Sequence, residues 1–137
     1  MRRPVLVLVA LACGLGSSVA LGSPAKTVTF KVTLVGKVEV PKGSPTGKGS
    51  ATITISGTKV CWKFVYSGID KTTASHIHKA PAGKSGPVVV PFGAAFKPSG
   101  CTTTTATLAK AIIAKPSAYY VNIHTVKYPG GAIRGQL

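Results

Sequence analysis

The stretch ATITISGTKVCWKFVY, residues 51–66, decides the fold class. Apolar and polar side chains alternate through both halves of it, and a Ser-Gly-Thr-Lys turn segment at residues 56–59 separates the halves. A period of two is typical of a strand with one buried face, and a short glycine-containing turn between two such runs predicts a β-hairpin. This hairpin supplies most of the large residues of the predicted core, which are Ala51, Ile53, Ile55, Val60, Trp62, Phe64 and Tyr66.

Strand-like segments continue on both sides of the hairpin. A strand is predicted at residues 28–34, followed by an exposed loop at 41–49 (PKGSPTGKG) that is rich in turn formers and lysines. Four more short strands are predicted, at 72–78, 87–92, 118–125 and 132–137. A helix is predicted only near 107–115 (TLAKAIIAK), ended by Pro116. The pattern predicts an all-β fold, an antiparallel β-sandwich or Greek-key barrel with one short helix.

Residues 1–22 have the composition of a secretory signal peptide. Arg2 and Arg3 precede an apolar run at 5–12, and small residues that suit cleavage follow. The apolar run is far shorter than the ~20 residues of a membrane span, and we expect no transmembrane segment. Cys13 raises the alternative of a lipid-anchored protein, but no leucine stands three residues before it. We therefore expect a secreted or cell-envelope protein with a single domain at residues 23–137.

The chain is strongly basic. It contains 17 Lys and Arg residues and two acids, Glu39 and Asp70. Loss of Arg2 and Arg3 with the signal would leave 15 basic residues and a charge of +13, which attracts small anions or anionic cell-envelope polymers. The alternative is that lysines keep a secreted β-protein soluble and protect its edges. The lysines are scattered along the chain, so we do not expect a nucleic-acid groove.

Cys61 and Cys101 are the two cysteines that remain after cleavage. In an oxidising compartment, an even pair in a small domain predicts a disulfide bond. Thiolate metal ligands would call for a spacing such as Cys-x-x-Cys, which the chain lacks.

The three histidines are the candidate metal ligands. His76 and His78 are two apart on a predicted strand, so their side chains point to the same side while Ile77 enters the core. His124 shares a strand face with Tyr120 and Asn122, and it becomes a third ligand if the two strands are close. Three imidazoles without a thiolate or carboxylate suit Cu(II) or Zn(II), and the general affinity order favours copper. The alternative is that the histidines only form hydrogen bonds with loops.

Other enzyme chemistry lacks the residues it needs. A serine hydrolase requires an acid that orients its histidine, and glycoside hydrolysis requires paired carboxylates, but Glu39 and Asp70 are the only acids. The sequence also has no glycine-rich phosphate loop followed by a helix. We therefore expect neither a hydrolase nor a kinase.

Four segments of the chain resemble the CHRD (chordin-type) domain in its short secreted bacterial form. The segments are ASHIH at 74–78, GPVVV at 86–90, YYVNIHT at 119–125 and PGGAIRGQL at 129–137. The resemblance covers residues 26–137, and Ala132 departs from it because the family usually carries glutamate there. Membership implies a secreted β-sandwich module and says little about biochemistry, because the growth-factor antagonism of chordin belongs to a much larger protein.

A more distant similarity is to the copper/zinc superoxide dismutases. These pair a His-x-His strand with a later histidine and an arginine in a Greek-key barrel with an internal disulfide. The similarity implies that His76, His78 and His124 hold copper and that Arg134 has a catalytic role, attracting and orienting superoxide. The chain has no counterpart of the fourth copper histidine, the bridging histidine or the zinc-site aspartate, so only a copper centre with three imidazoles remains. Arg134 can instead be structural, stacking on Tyr120 or donating to loop carbonyls.

Two functions follow as expectations. The first is a secreted CHRD-domain protein with a non-enzymatic binding role outside the cytoplasm, its ligand unnamed by the sequence. The alternative is a copper-binding protein with a three-histidine site and superoxide dismutase-like activity. The sequence leaves the oligomeric state open.

Overall fold

A computed structural model describes residues 26–137. This part of the chain forms eight strands and one α-helix, so an all-β fold with a short helix is confirmed. The expected signal peptide at 1–22 and the alternative of an anchor at Cys13 lie outside the described residues. The elements are β1 (Thr27–Val35), β2 (Lys48–Ser56), β3 (Lys59–Ser67), β4 (Thr72–Lys79), β5 (Val88–Pro91), β6 (Ser99–Thr103), α1 (Ala106–Ala114), β7 (Tyr119–Thr125) and β8 (Ile133–Gln136).

All strands join one antiparallel sheet in the order β5-β4-β7-β8-β1-β2-β3-β6. The sheet curls into a nearly closed barrel, and aromatic side chains from near its two edges pack against each other. Trp62 on β3 stacks on Phe92, directly after β5, with ring centroids 4.3 Å apart. The core therefore lies inside the barrel, as the alternating pattern predicts.

The β2–β3 hairpin forms around the predicted turn. Ile53 lies opposite Trp62 and Ile55 opposite Val60, and all four side chains are buried. Gly57 begins the two-residue turn with a φ of +59°, a left-handed conformation that costs glycine little. Turn chemistry and hydrophobic alternation thus specify the same register.

A disulfide joins Cys61 on β3 to Cys101 on β6, as the cysteine count predicts. The two residues are direct neighbours in the β3–β6 pairing. The bond therefore ties the edge strand β6 to the β2–β3 hairpin. No strand was predicted at β6, because its segment is polar and its inward positions are small: Gly100 packs directly on the Trp62 ring.

The predicted exposed loop at 41–49 is partly wrong. Ser44 and Gly47 are buried, and β2 already begins at Lys48. The Ser44 side chain accepts a hydrogen bond from the Gly47 amide and donates to the Gly68 carbonyl, and the Ser44 amide donates to the Ala132 carbonyl. Polar turn formers are buried here because their hydrogen bonds are made within the protein.

The helix α1 lies one residue before the predicted span. The side chain of Thr105 caps it by accepting a hydrogen bond from the Leu108 amide. Ala109 and Ile112 face the core. No helix among residues 26–137 is long and apolar enough to cross a membrane.

Strand β7 is buried on both faces. Its Val121 and Ile123 side chains enter the core, while Tyr120, Asn122 and His124 lie on the outer face of the barrel and are buried as well. Three loops cover this outer face, at residues 36–47, 80–87 and 126–132. A buried polar layer outside the core is thereby created. It contains His78 and His124, and the half-buried His76 lies at its edge.

Candidate metal site

The three histidines converge on the outer face of strands β4 and β7. These strands are neighbours, with Ala74 opposite His124 and His76 opposite Asn122. The ring centroids of His76 and His78 lie 4.9 Å and 5.7 Å from that of His124. One ligand nitrogen from each ring can be chosen so that all three lie within 4.8 Å of one another. The side chains are thus close enough to share one ion after small rotamer changes.

Loop carbonyls fix the ring orientation of two histidines. The Nδ1 atom of His78 lies 2.9 Å from the Gly86 carbonyl oxygen, and the Nδ1 atom of His124 lies 2.9 Å from that of Pro129. A carbonyl oxygen only accepts, so each Nδ1 carries the proton and donates it. Each neutral ring then keeps its lone pair on Nε2, which is how metal-binding histidines are commonly held.

His76 is the most accessible member of the cluster. Its ring is half-buried, and its Nδ1 atom lies 3.1 Å from Nε2 of His124. Because His124 donates through Nδ1, its Nε2 accepts the hydrogen bond from His76. His76 thus lies on the solvent side of the cluster. Its hydrogen bond to His124 joins two of the candidate ligands.

All three imidazoles favour the neutral form. Burial is the main cause and lowers the pKa of each histidine, and for His76 the pKa falls to about 4 with help from the neighbouring His124 and His78. Hydrogen bonds to Gly86 and Pro129 act in the opposite direction on His78 and His124. Neutral imidazole is the form that binds metals, so the cluster is in its ligand form at neutral pH.

Tyr120 links the cluster to Arg134 on β8. The His78 ring stacks on the Tyr120 ring at 4.7 Å with the planes 5° apart, and the Arg134 guanidinium carbon lies 3.4 Å from the same ring centroid. Arg134 also donates from Nη1 to the Lys84 carbonyl at 2.8 Å, and it is buried. Both contacts of the expected structural alternative are therefore present, while a catalytic role stays a prediction.

Glu39 and Asn122 complete the buried layer, and sequence reasoning assigned neither to a site. Asn122 Nδ2 donates to Glu39 Oε2 at 3.4 Å, and Glu39 Oε1 lies 3.8 Å from Nη1 of Arg134. Burial raises the pKa of Glu39, although Arg134, Asn122 and the Val40 amide oppose that change. The sequence could have indicated Asn122, because it lies two residues before His124 on the same predicted strand. It could not have indicated Glu39, because Glu39 lies on a loop whose path the sequence does not reveal.

The cluster offers the chemistry of a borderline divalent metal site. Its donors are imidazole nitrogens, which suit Cu(II) and Zn(II), and it includes no thiolate. Cys61 and Cys101 are oxidised, and Glu39 pairs with Arg134. Within residues 26–137 these histidines are the group of side chains placed to hold a metal ion.

Comparison with known proteins identifies the domain. Neither a search of curated proteins nor a search of solved structures returned a match. The family model of the CHRD domain matches residues 30–137, which is most of the chain and includes every residue of the histidine cluster. The chain belongs to the CHRD domain family.

Proposed function

We propose that this CHRD domain binds one copper ion outside the cytoplasm through His76, His78 and His124. The observation that carries the proposal is the convergence of the three rings, with a ligand nitrogen from each within 4.8 Å of the others. The carbonyls of Gly86 and Pro129 support it, because they hold two rings with the lone pair on Nε2: that of His78 has no partner, and that of His124 accepts from His76, a bond that a metal ion would replace. Copper is favoured over zinc by the affinity order for nitrogen ligands.

The first experiment is a copper titration of the mature protein without an affinity tag. Calorimetry measures stoichiometry, and electron paramagnetic resonance (EPR) measures nitrogen hyperfine coupling to Cu(II). Because the chain contains only three histidines, imidazole coupling must come from this cluster. We expect one equivalent of copper and coupling to three imidazole nitrogens.

Two variants test whether copper binds at the histidines. A His76→Ala/His78→Ala protein should lose tight binding, because one imidazole remains. Ser75→Ala is the matched control: Ser75 is buried on the same strand, but its side chain lies on the opposite face of β4. Equal, weak copper binding by all three proteins would contradict the proposal.

Superoxide dismutation would be a further step, with copper cycling between two oxidation states. It would require Arg134 to reach an anion above the metal. Arg134 is only 1% exposed, and the contacts of its guanidinium with Tyr120 and Lys84 hold that group in place, which supports a structural role. The proposal therefore stops at copper binding, and a superoxide assay of the copper-loaded protein tests the additional step.

Secretion is part of the proposal. The Cys61–Cys101 disulfide supports an oxidising compartment, where copper is accessible and thiols do not compete for it. Cell fractionation of the full-length protein tests this, and we expect processed protein outside the cytoplasm.

A second candidate function is binding of an anionic envelope polymer. The outer face of β1, β2 and β3 supports it, since Lys31 and Lys63 flank Thr52 in one cross-strand row and both are exposed. The two acids lie elsewhere: Glu39 is buried, and Asp70 accepts a hydrogen bond from the Lys127 amide. Polymer-binding lysines predict affinity that falls steeply with salt.

Binding of polyphosphate at several salt concentrations tests this candidate. Lys31→Ser/Lys63→Ser should weaken binding and flatten its salt dependence. Lys110→Ser/Lys115→Ser, at and just after α1, is the control: it removes the same charge from another surface and should weaken binding less. Equal losses in the two variants would mean that only the overall charge matters.

A further inference from the structure

We propose that Asn122 supplies a fourth donor to the copper ion, through its side-chain amide oxygen Oδ1. This inference rests on the proposed function and adds the composition of its site. It would convert a centre of three nitrogens into one of three nitrogens and one oxygen. Glu39 would act as a positioning residue, because it determines which end of the amide faces the histidines.

The position of Asn122 is fixed by the sheet. It lies two residues before His124 on β7, so the two side chains share the outer face of the barrel. On β4 it is paired with His76, and His78 is the next residue on the same face. Asn122 is fully buried. The amide therefore lies on the same face of the barrel as the three proposed ligands, in the buried layer.

Glu39 orients the amide. The amide nitrogen Nδ2 donates to Glu39 Oε2, and a carboxylate paired with Arg134 can only accept. The opposite end of the amide, Oδ1, consequently points away from Glu39. The Asn122 side chain is also close enough to interact with the His78 ring.

Two acceptors then lie next to each other without a donor. Asn122 Oδ1 and His78 Nε2 are both buried, and neither has a hydrogen-bond partner among residues 26–137. Because His78 already donates through Nδ1 to Gly86, its Nε2 is an acceptor. Two buried acceptors cannot satisfy each other, and leaving each unpaired costs about 1–3 kcal/mol. A cation that takes both lone pairs relieves this cost.

The donor type has a consequence for oxidation state. An amide oxygen is a hard ligand that favours Cu(II), while Cu(I) prefers soft donors and lower coordination numbers. We therefore expect the Asn122 oxygen to stabilise the oxidised ion. Its loss should weaken Cu(II) binding by about 10–100-fold, the range seen when groups around a metal site are removed.

The decisive test uses the unmodified protein, because Asn122 is the only asparagine in the chain. Asparagine labelled with carbon-13 only at the side-chain carbonyl carbon gives one labelled carbonyl signal in isotope-edited infrared spectra. Coordination withdraws electron density from the C=O bond, so the band should move to lower frequency as one equivalent of Cu(II) is added. A band that stays in place while EPR shows imidazole coordination would overturn the inference and leave the proposed function intact.

An Asn122→Ala variant provides the second measurement. Its Cu(II) EPR spectrum should keep coupling to three imidazoles but change in g values and copper hyperfine splitting, with weaker affinity. The Ser75→Ala control should match the wild type. Identical spectra and affinities in wild type and Asn122→Ala would overturn the inference. If the wild type binds no copper at the histidines, the proposed function fails and the inference fails with it.

Discussion

Tyr120 connects the last strand of the barrel to the histidine cluster. Its ring contacts His78 from β4 and Arg134 from β8, the two strands that flank β7. Because Arg134 is also held by Lys84, its guanidinium fixes the Tyr120 ring, and that ring supports His78. We therefore expect Arg134 to position the proposed site, and its loss should first lower the stability of the protein.

Replacement of Arg134 tests that role. Arg134→Ala would leave Glu39 buried without its counter-charge, and breaking a buried pair lowers the free energy of unfolding by about 3–5 kcal/mol. Arg134→Lys keeps the charge but loses the planar stack on Tyr120, so we expect a smaller loss. Urea denaturation of the metal-free proteins measures both. A loss below about 1 kcal/mol in Arg134→Ala would argue against a structural role.

Acidification should destabilise the protein through its histidines. His76 has a pKa of about 4 in the folded protein, against about 6.5 in an unfolded chain. Between these values the unfolded chain binds a proton that the folded protein does not, so the free energy of unfolding falls as the pH drops through this window. The pKa of His78 and that of His124 are lowered as well and act in the same direction.

A His76→Gln variant isolates this contribution. Glu39 acts in the opposite direction, because its raised pKa makes the folded protein hold a proton above pH 4.5 that the unfolded chain releases. The wild type and His76→Gln both contain Glu39, so the difference between their losses of unfolding free energy on acidification reports the contribution of His76. We expect urea denaturation at about pH 7 and about pH 5 to show a smaller acid loss in His76→Gln. Equal losses of unfolding free energy in the two proteins would mean that His76 is protonated as easily in the folded protein as in the unfolded chain.

At the residue scale the sequence identifies candidate ligands by residue type but does not show what surrounds them. His76, His78, His124 and Arg134 can be picked out because few other groups in the chain carry chemistry. The carbonyls that orient the rings cannot be picked out, since every residue has one. Which carbonyl meets a histidine depends on the path of loops 80–87 and 126–132, and that path follows from tertiary packing.

Among the elements, the β2–β3 hairpin and the β6 strand show where sequence patterns succeed and fail. The hairpin has strict alternation and a glycine turn, so local signals fix it. The β6 segment SGCTT has no large apolar side chain to reveal its period. Its position comes instead from the partner strand, where the bulky Trp62 leaves room only for Gly100. Such a strand is specified by its neighbour rather than by its own sequence.

Removing the disulfide should loosen this edge of the barrel. The bond closes a loop of 40 residues, and the chain-entropy relation assigns about 4 kcal/mol of stabilisation to a loop of that size. A Cys61→Ser/Cys101→Ser variant should lose about that much free energy of unfolding. Hydrogen exchange should show faster opening of β6 than of β7, because β7 is paired on both sides.

The reduced wild-type protein is the control for this variant. It keeps both cysteines and should lose a similar free energy of unfolding in the presence of a thiol reductant. A variant that unfolds at the same urea concentration as the oxidised wild type would contradict a stabilising role for the bond.

At the scale of the whole molecule, the candidate site depends on sheet topology. His76 and His124 are 48 residues apart in sequence and meet because β7 inserts between β4 and β8. Sequence patterns predict the strands but not their order, because alternation specifies which face is buried and not which strand is adjacent. The closeness of the two histidine strands is therefore the decisive fact that only the structure provides.

Copper should stabilise the whole barrel and not only the site. The proposed ligands lie on β4 and β7, and the loop at residues 80–87 that orients His78 also contacts β8, so an ion at the histidines would join strands that are far apart in sequence. A ligand that binds only the native state at 100 times its Kd adds about 2.7 kcal/mol to the free energy of unfolding. For a domain of this size that corresponds to a rise in Tm of roughly 10 °C. Calorimetric melting with and without copper measures the shift, with His76→Ala/His78→Ala as the control. A rise confined to the wild type and Ser75→Ala supports the site, whereas an equal rise in the double variant would place copper on other groups of the surface.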